Sequence, residues 1–422
     1  MLHALIVSLY GETTYQVLAI VFGLYPIWLP PLLGVLFWEV WMRYIRYNFF
    51  LNTPSILLEI KLPKEITKSP VNMELALNGL YQTGGESTFI DRYWLGKTRP
   101  WFSLEIVSFG GEIHLYIWTR TQMRNTVESQ MYSQFPDLEI LEVDDYTKQF
   151  VYDPLKNNMW ATNYALSKNT AIPLRTYLEF GLEKNPKPEF AVDPLTTLLE
   201  YLNTLKPGET MMLQIVIRAH KKEKRGGFFS KASSWNKDIA NVRKKFIEQT
   251  RAEGRSTFSP EEAKIIETLN RSVVKYAFDV GIRCVYFASK EAFNPGQPGF
   301  MRGGLFRALG ANFGEGFDEI ADPVKDGSKH FAGWNSIAPN GSTDTDFPWQ
   351  DFLGIRMNRL KRQRLDAFKR RMFFYSPHYE KTMVMTTETL ATIFHFPGSY
   401  AATPGLIRIP SKRGQAPANL PV

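Results

Sequence analysis

Apolar and polar positions divide the chain into three regimes. The first is an unbroken apolar run: between Glu12 and Glu39 lie 26 residues without a charge, "TTYQVLAIVFGLYPIWLPPLLGVLFW". As helix, that length would cross the roughly 30 Å hydrocarbon core of a bilayer, and Pro26, Pro30 and Pro31 make it a kinked span or a re-entrant hairpin. Trp38 and Trp41 then supply an aromatic belt, and Arg43 and Arg46 put positive charge on its C-terminal side. Met1 to Glu12 contains no lysine or arginine, so the charge bias predicts an inner-membrane anchor with the bulk of the chain in the cytoplasm. A cleaved signal peptide is disfavoured, because no basic region precedes the run and no small-residue cleavage site comes after it.

In the second regime, alternation with period two exchanges with helical spacing. "SILLEIKLP" reads as a strand, and "SPVNMELALNGLY" as a helix with Ser69 at its cap and Pro70 at its first position. "WFSLEIVSF" and "EIHLYIWTR" flank Gly110-Gly111 as a hairpin. Met123, Val127 and Met131 then mark a helix, and "DLEILEVDDY" closes as a strand. The order β-α-β-β-α-β predicts a split-βαβ, ferredoxin-like unit with both helices on one face of its sheet. The other face would carry His114, Tyr116 and Trp118. Exposed aromatics on such a sheet can stack bases, but the basic, glycine-bearing signature of RNA-binding sheets is absent from these strands, so packing against the next domain is expected.

A second, interrupted copy is expected downstream. "TAIPLRTYLEF" reads as its first strand, "DPLTTLLEYLNTL" as a helix capped by Asp193, and "TMMLQIVIR" as a strand. The stretch from Lys221 to Lys245 holds nine Lys/Arg against two acids and reads as an inserted arm. "SPEEAKIIETLNRSVVKYAF" comes next as a helix capped by Ser259, then the strand around Cys284 and a helix from about Met301. Glycine, proline, serine and aspartate crowd Ala321 to Gln350, a long loop.

The third regime is a strongly basic helix. Between Leu353 and Met372 there are eight Lys/Arg and one Asp, with Leu353, Met357, Leu360, Leu365 and Phe368 on one side. Such a helix either lies on phosphate or acidic protein, or simply presents a solvated face. Its nucleic-acid candidates are Arg359, Lys361, Arg362, Arg364, Lys369 and Arg370. The expected fold class is therefore α+β: an N-terminal transmembrane segment, two ferredoxin-like (split βαβ) units and a C-terminal basic helix with a proline-rich tail. The boundaries read as an anchor over 1–50, a first domain over 51–150, a second over 151–350 with a basic insertion at 219–258, and helix plus tail over 351–422.

Composition adds modest constraints. The 422 residues are 44% hydrophobic and 22% charged, enough for a sizeable core, and the net charge of +8 favours acidic partners such as nucleic acid or anionic lipid. The single cysteine, Cys284, excludes a disulfide framework. No two histidines have the i,i+4 spacing of a helical metal site. Asp344 and Asp346 lack the glycine and terminal glutamate of a calcium loop. Gly96-Lys97-Thr98 ends like a phosphate-binding loop, yet Asp91 stands where the earlier glycine belongs, and Arg99-Pro100 leads into a strand. No catalytic, cofactor or metal residues are expected, and the chain reads as a non-enzyme.

The segment "TTETLATIFHFPGSYAATPGLIRIPSKRGQAPANLP", Thr386 to Pro421, resembles the connector that leads into the motor of conjugation-type, HerA/FtsK-like ATPases of type IV secretion. Thr387, Glu388, Leu390, Ala391, Thr392, Phe394, His395, Phe396, Pro397 and Gly398 match the "TEELATLFHFPG" helix of that group. "LLEIKLPKEITKSPVNMELAL" and "DPLTTLLEYLNTLKPGETMMLQIVIR" are similar to N-terminal regions of the same proteins. The motor itself is missing, which bars any transfer of nucleotide-binding residues. The resemblance implies a membrane anchor and docking subunit for a separately encoded ATPase in DNA transfer, with Glu388, Leu390, Phe394, His395, Phe396 and Pro397 as motor-docking residues. A ring motor also implies a matching homo-oligomer. The competing expectation is a membrane-tethered nucleic-acid-binding protein acting through 221–245 and 356–371.

Overall fold

The computed structural model describes residues 16, 20, 22–64, 66, 68–166, 174–184, 193–221, 223–224, 232–233, 235–252, 254–255, 257–303, 317–319, 355–375, 377–380, 382–398 and 403–409. Its helices are α1 (Tyr25–Asn52), α2 (Pro70–Gly79), α3 (Phe89–Tyr93), α4 (Arg124–Gln134), α5 (Pro194–Asn203), α6 (Trp235–Ala252), α7 (Pro260–Val274), α8 (Gln297–Gly303), α9 (Ile355–Lys369) and α10 (Thr387–Ile393). Its strands are β1 (Ser55–Pro63), β2 (Trp101–Phe109), β3 (Glu112–Arg120), β4 (Glu139–Val143), β5 (Asn157–Leu166), β6 (Glu209–Ala219), β7 (Glu223–Lys224), β8 (Ala232–Ser233), β9 (Ala277–Ser289), β10 (Phe317–Glu319), β11 (Met383–Thr386) and β12 (Arg408–Ile409). Two compact units result: 1–53 with 85–98, and 54–84 with 99–422.

The smaller unit corrects the expectation of a transmembrane segment. No helix among the described residues is long and apolar enough to cross a membrane. The physical reason lies in α1. Its charge-free part runs only from Tyr25 to Trp38, about 21 Å at 1.5 Å per residue, short of the roughly 30 Å a bilayer core requires. Pro30 and Pro31 interrupt it, tyrosine and tryptophan dilute it, and Glu39, Arg43 and Arg46 come after it. Residues 13–15, 17–19 and 21 of the apolar run lie outside the described residues. Trp38 and Trp41 of the expected interface belt make local contacts. Trp41 Nε1 donates to the Tyr93 carbonyl at 3.0 Å and its ring packs on Trp94, while Trp38 packs on Tyr93. The two tryptophans thus seat α3 against α1, and Arg43 pairs with Glu39 one turn away.

The larger unit is built on one sheet of ten strands. Its first half has the order β4-β1-β3-β2, all antiparallel, which is the split-βαβ order. The second half repeats it as β10-β5-β9-β6. The halves join edge to edge, with β2 antiparallel to β6 over nine residue pairs from Trp101↔Arg218 to Phe109↔Thr210. Gly110 and Gly111, at φ 58° and 99°, close the β2–β3 hairpin in the left-handed conformation that a tight two-residue turn requires. In the second half the corresponding β6–β9 connection holds α6 and α7. Its first strand is β5, not the expected "TAIPLRTYLEF": Tyr177 to Phe180 form a turn, and Ala171 to Pro173 lie outside the described residues. The long loop at 321–350 lies outside them as well.

Alternation along the strands sends Leu58, Leu104, Leu115, Leu213 and Ile282 to one face, where they pack with Met73 and Leu77 of α2, Val127 and Met131 of α4, Leu198 and Leu202 of α5, and Leu390 of α10. The opposite face does not await bases. Tyr116 and Trp118 are buried: the Tyr146 ring stacks on Tyr116 at 4.9 Å, Arg371 just past α9 lies over the Trp118 ring, and the Tyr375 ring lies 5.9 Å from that of Trp101. Gly281 makes that cover possible, since a Cβ there would sit 2.4 Å from the Phe373 ring.

Candidate functional site

The second face of the sheet carries a polar row. Asn163 of β5, Arg283 of β9, Gln214 of β6, Glu105 of β2, Tyr116 of β3 and Glu59 of β1 are successive cross-strand neighbours. Arg371, just past the end of α9, docks onto this row. It is fully buried, adopts the left-handed conformation at φ 50°, and donates from Nε to Glu105 Oε1 at 3.0 Å and from Nη2 to Asp145 Oδ1 at 3.0 Å. Glu105, equally buried, also accepts from Ser103 Oγ at 2.7 Å, Tyr146 at 2.6 Å and Gln214 Nε2 at 3.0 Å. Every donor a buried carboxylate needs is therefore supplied. Burial opposes the charge on Arg371, but Glu105 and Asp145 more than offset it and hold the guanidinium pKa above its usual value. Burial likewise opposes ionisation of Asp145, whose pKa Arg371 nonetheless keeps low.

This docking decides where the basic helix points its charges. Lys361 is buried, donates to Asn158 Oδ1 at 2.6 Å, and burial pushes its amine down to about 8. Arg364 is buried and pairs with Glu380 at 2.5 Å. Arg359, Arg362 and Arg370 are exposed and Lys369 half-buried, with Arg370 paired to Asp366 one turn back. Only part of the expected phosphate-binding row therefore faces solvent. The two residues whose burial spoils it are the ones that seat the helix on β5 and on the loop before β11.

The connector-like segment is also integral to the fold. All seven residues of α10 are buried, and Phe394, His395, Phe396 and Pro397 continue the burial. Glu388 sits in an ion cluster: its Oε2 meets Lys275 Nζ at 2.7 Å, and its Oε1 accepts from Thr176 at 2.6 Å and from Arg271 at 3.4 Å. Lys275 also meets Glu74 of α2 at 2.8 Å, and Tyr177 donates to Glu74 at 2.6 Å. Burial opposes the Glu388 charge, but Lys275, Thr176 and Arg271 keep its pKa low. His395 Nε2 meets Asp193 Oδ2 at 3.2 Å while Nδ1 meets the Ala391 carbonyl at 2.9 Å. Burial opposes its protonation, and Asp193 outweighs burial and raises its pKa. Leu390, Phe394 and Phe396 lie in the main core. The six docking candidates thus converge in one region, where they hold the segment to its own sheet rather than presenting it outward.

Beyond this, Thr403 to Ile409 are clipped into the sheet. Ile113 N–H donates to the Gly405 carbonyl at 2.7 Å, Lys64 N–H donates to Ile409 at 3.1 Å, and β12 runs parallel to the end of β1. The remainder of the tail, 410–422, lies outside the described residues. Gly96-Lys97-Thr98 is an irregular stretch in which Lys97 Nζ pairs with Asp91 at 2.8 Å. A strand succeeds it, so no helix N-terminus converges on a phosphate there.

Sequence reasoning missed Arg371, Glu105, Lys275 and Glu74. The legible signal was a polar residue at the centre of an otherwise apolar strand, as with Glu105 in "WFSLEIVSF" and Arg283 in "GIRCV". Among the described residues no group of three or more His, Cys, Asp or Glu could hold a metal ion. No family model matches the chain, and neither a curated protein nor a solved structure matches it.

Proposed function

We propose that this chain is a non-enzymatic docking subunit for a separately encoded conjugation-type ATPase engaged in DNA transfer. One observation supports the reading above the others: the connector-like segment is a buried, ion-paired part of the duplicated sheet. A segment so held is a rigid base for the chain that continues into residues 410–422. Its own side chains, Glu388 and His395 among them, serve as the fastening, and the surface offered to the motor lies beyond Ile409. Rigid presentation reduces the ordering cost that a free peptide would meet on binding. The role needs no membrane-spanning helix.

The test is co-purification of the full chain with any conjugation-type ATPase found encoded beside it, with and without residues 410–422. Because Thr386 to Gly398 are core, the deletion must stop short of them, and an unchanged melting temperature confirms that the sheet stays folded. A complex that is lost on removing 410–422 supports the reading. Failure of the full-length protein to bind the ATPase overturns it.

A further inference from the structure

The two halves of the sheet differ most at one place. In the first half, β2 and β3 are joined by Gly110-Gly111; in the second, the equivalent connection carries α6 and α7. The first half shows that the split-βαβ order closes without such an insertion, so α6 and α7 are an addition to the module. They form a small core of their own: Trp235, Ile239 and Val242 of α6 pack on Ile265 and Leu269 of α7, with Ala277 and Val384 beneath. Ser259 and Glu262 cap α7 reciprocally, a capping box that Arg255 Nη2 secures at 2.8 Å from Glu262.

With that inner face satisfied, the outer face of α6 is left strongly basic. Lys237, Arg243, Lys244, Lys245 and Arg251 are all exposed, against Glu248 alone among exposed acids. Lys237, Lys244 and Arg251 recur every seven residues, so they form a straight row with steps of roughly 10 Å. Lys244 pairs with Glu248 at 3.6 Å; among the described residues Lys237, Lys245 and Arg251 have no ion-pair partner. Between them stand Asn236, Asn241 and Gln249, also exposed, and the largest fully exposed apolar side chain on the helix is alanine.

That composition selects the occupant. A protein partner is held by aromatic or aliphatic anchors in a dry centre, and beside these cations stands a single half-buried aliphatic side chain, Ile247. A bilayer surface would call for several apolar side chains to insert beside the cations, more than Ile247 and the exposed alanines supply. Lysine, arginine, asparagine and glutamine without apolar anchors are the donors that bind phosphate and sugar oxygens. We propose that the outer face of α6, through Lys237, Asn241, Lys244, Lys245 and Arg251, grips the sugar-phosphate backbone of a nucleic acid. Backbone phosphates are common to every sequence, so binding through them is independent of sequence. The proposal stands apart from the docking role, because it concerns the insertion and not the connector or tail.

Fluorescence anisotropy of the full chain against a labelled mixed-sequence DNA, single-stranded and duplex, between about 50 and about 200 mM salt, tests it. The variant Lys237→Gln/Lys245→Gln/Arg251→Gln changes three exposed residues and leaves the α6–α7 core intact. Losing three phosphate contacts lowers the slope of log affinity against log salt by about 2 to 3, and the affinity at low salt by about tenfold or more. The companion Arg359→Gln/Arg362→Gln/Arg370→Gln on α9 keeps the wild-type slope. Unchanged affinity in the α6 variant overturns the proposal. So does equal binding of wild-type protein to polyglutamate or to phosphatidylglycerol vesicles, which would make the face a general cation exchanger or a lipid contact.

Discussion

Replacing Arg371 with methionine tests whether the buried ion pair, rather than apolar packing alone, fixes α9 to the sheet. Methionine keeps a Cβ and an unbranched stem at φ 50°, so backbone strain is nearly unchanged and the loss is mainly electrostatic. Glu105 would keep Ser103, Tyr146 and Gln214 as donors but lose its one cationic donor among the described residues, in a place closed to solvent. Removing one partner of a buried pair costs about 3–5 kcal/mol. Glu105→Gln should cost less, about 1.5–3 kcal/mol, because Arg371 keeps Asp145, which is partly solvated. The double variant strands neither Glu105 nor Arg371, while Asp145 loses its cation alike in both Arg371 variants, and the pair should couple by about 1–3 kcal/mol. Urea unfolding monitored by tryptophan fluorescence reports this locally, since the Trp118 ring centroid lies 5.8 Å from the Arg371 guanidinium. If Arg371→Met costs under about 1 kcal/mol, or if the two single effects simply add, the pair is not what holds the helix and the reasoning is wrong.

Three further substitutions probe neighbouring contacts. His395 has its pKa raised in the folded state, so the stabilisation from its pairing with Asp193 is complete below the unfolded value of about 6.5 and is lost as pH rises through the folded value. His395→Gln should flatten the melting temperature across that window, and a variant with the wild-type pH dependence would refute the assignment. Gly281→Ala should destabilise by about 1–3 kcal/mol, because its Cβ meets the Phe373 ring, and Phe373→Leu should recover part of the loss in the same melting assay. Lys361→Met should be neutral or stabilising at neutral pH. Burial sets the folded amine near 8, below its unfolded value, so the lysine weakens the fold as pH falls from about 10 toward 8. A substantial loss of stability in that variant at neutral pH would show that the bond to Asn158 outweighs the burial penalty.

The strands of the first half and the caps were legible because local rules and tertiary structure agree there. Ser259 makes its capping box, Asp193 caps α5 through Leu195 N–H, and the Gly-Gly hairpin turns where expected. Ser69 stands at the N-terminus of α2 without a side-chain cap bond, so its position was readable and its hydroxyl's role was not. Strand β5 escaped notice because Asn157, Asn158, Thr162 and Asn163 break its alternation; Asn163 is buried, and its Oδ1 accepts from Arg283, a partner 120 residues away. Helix α6 was hidden by the opposite fault, a charge density that masks Trp235, Ile239 and Val242 at helical spacing. The motor-docking candidates were identified by resemblance, which marks a segment as special without saying which way its side chains point. Burial of Lys361 and Arg364 was likewise illegible, since it depends on Asn158 and Glu380 folding around them.

The clip formed by β12 also governs how the sheet bears force. Because β12 runs parallel to β1, the C-terminal end of the one and the N-terminal end of the other lie at opposite ends of the pair. Tension applied between Ser55 and Ile409 therefore pulls the two strands along each other in shear. The Ile113–Gly405 and Lys64–Ile409 bonds are strained together rather than opened in turn. Tension that runs past them meets Phe394 and Phe396 in the core and Glu388 in its ion cluster, which must give way before α10 can unravel. A pull on residues beyond 409 thus meets the short clip first and, behind it, the buried core around α10.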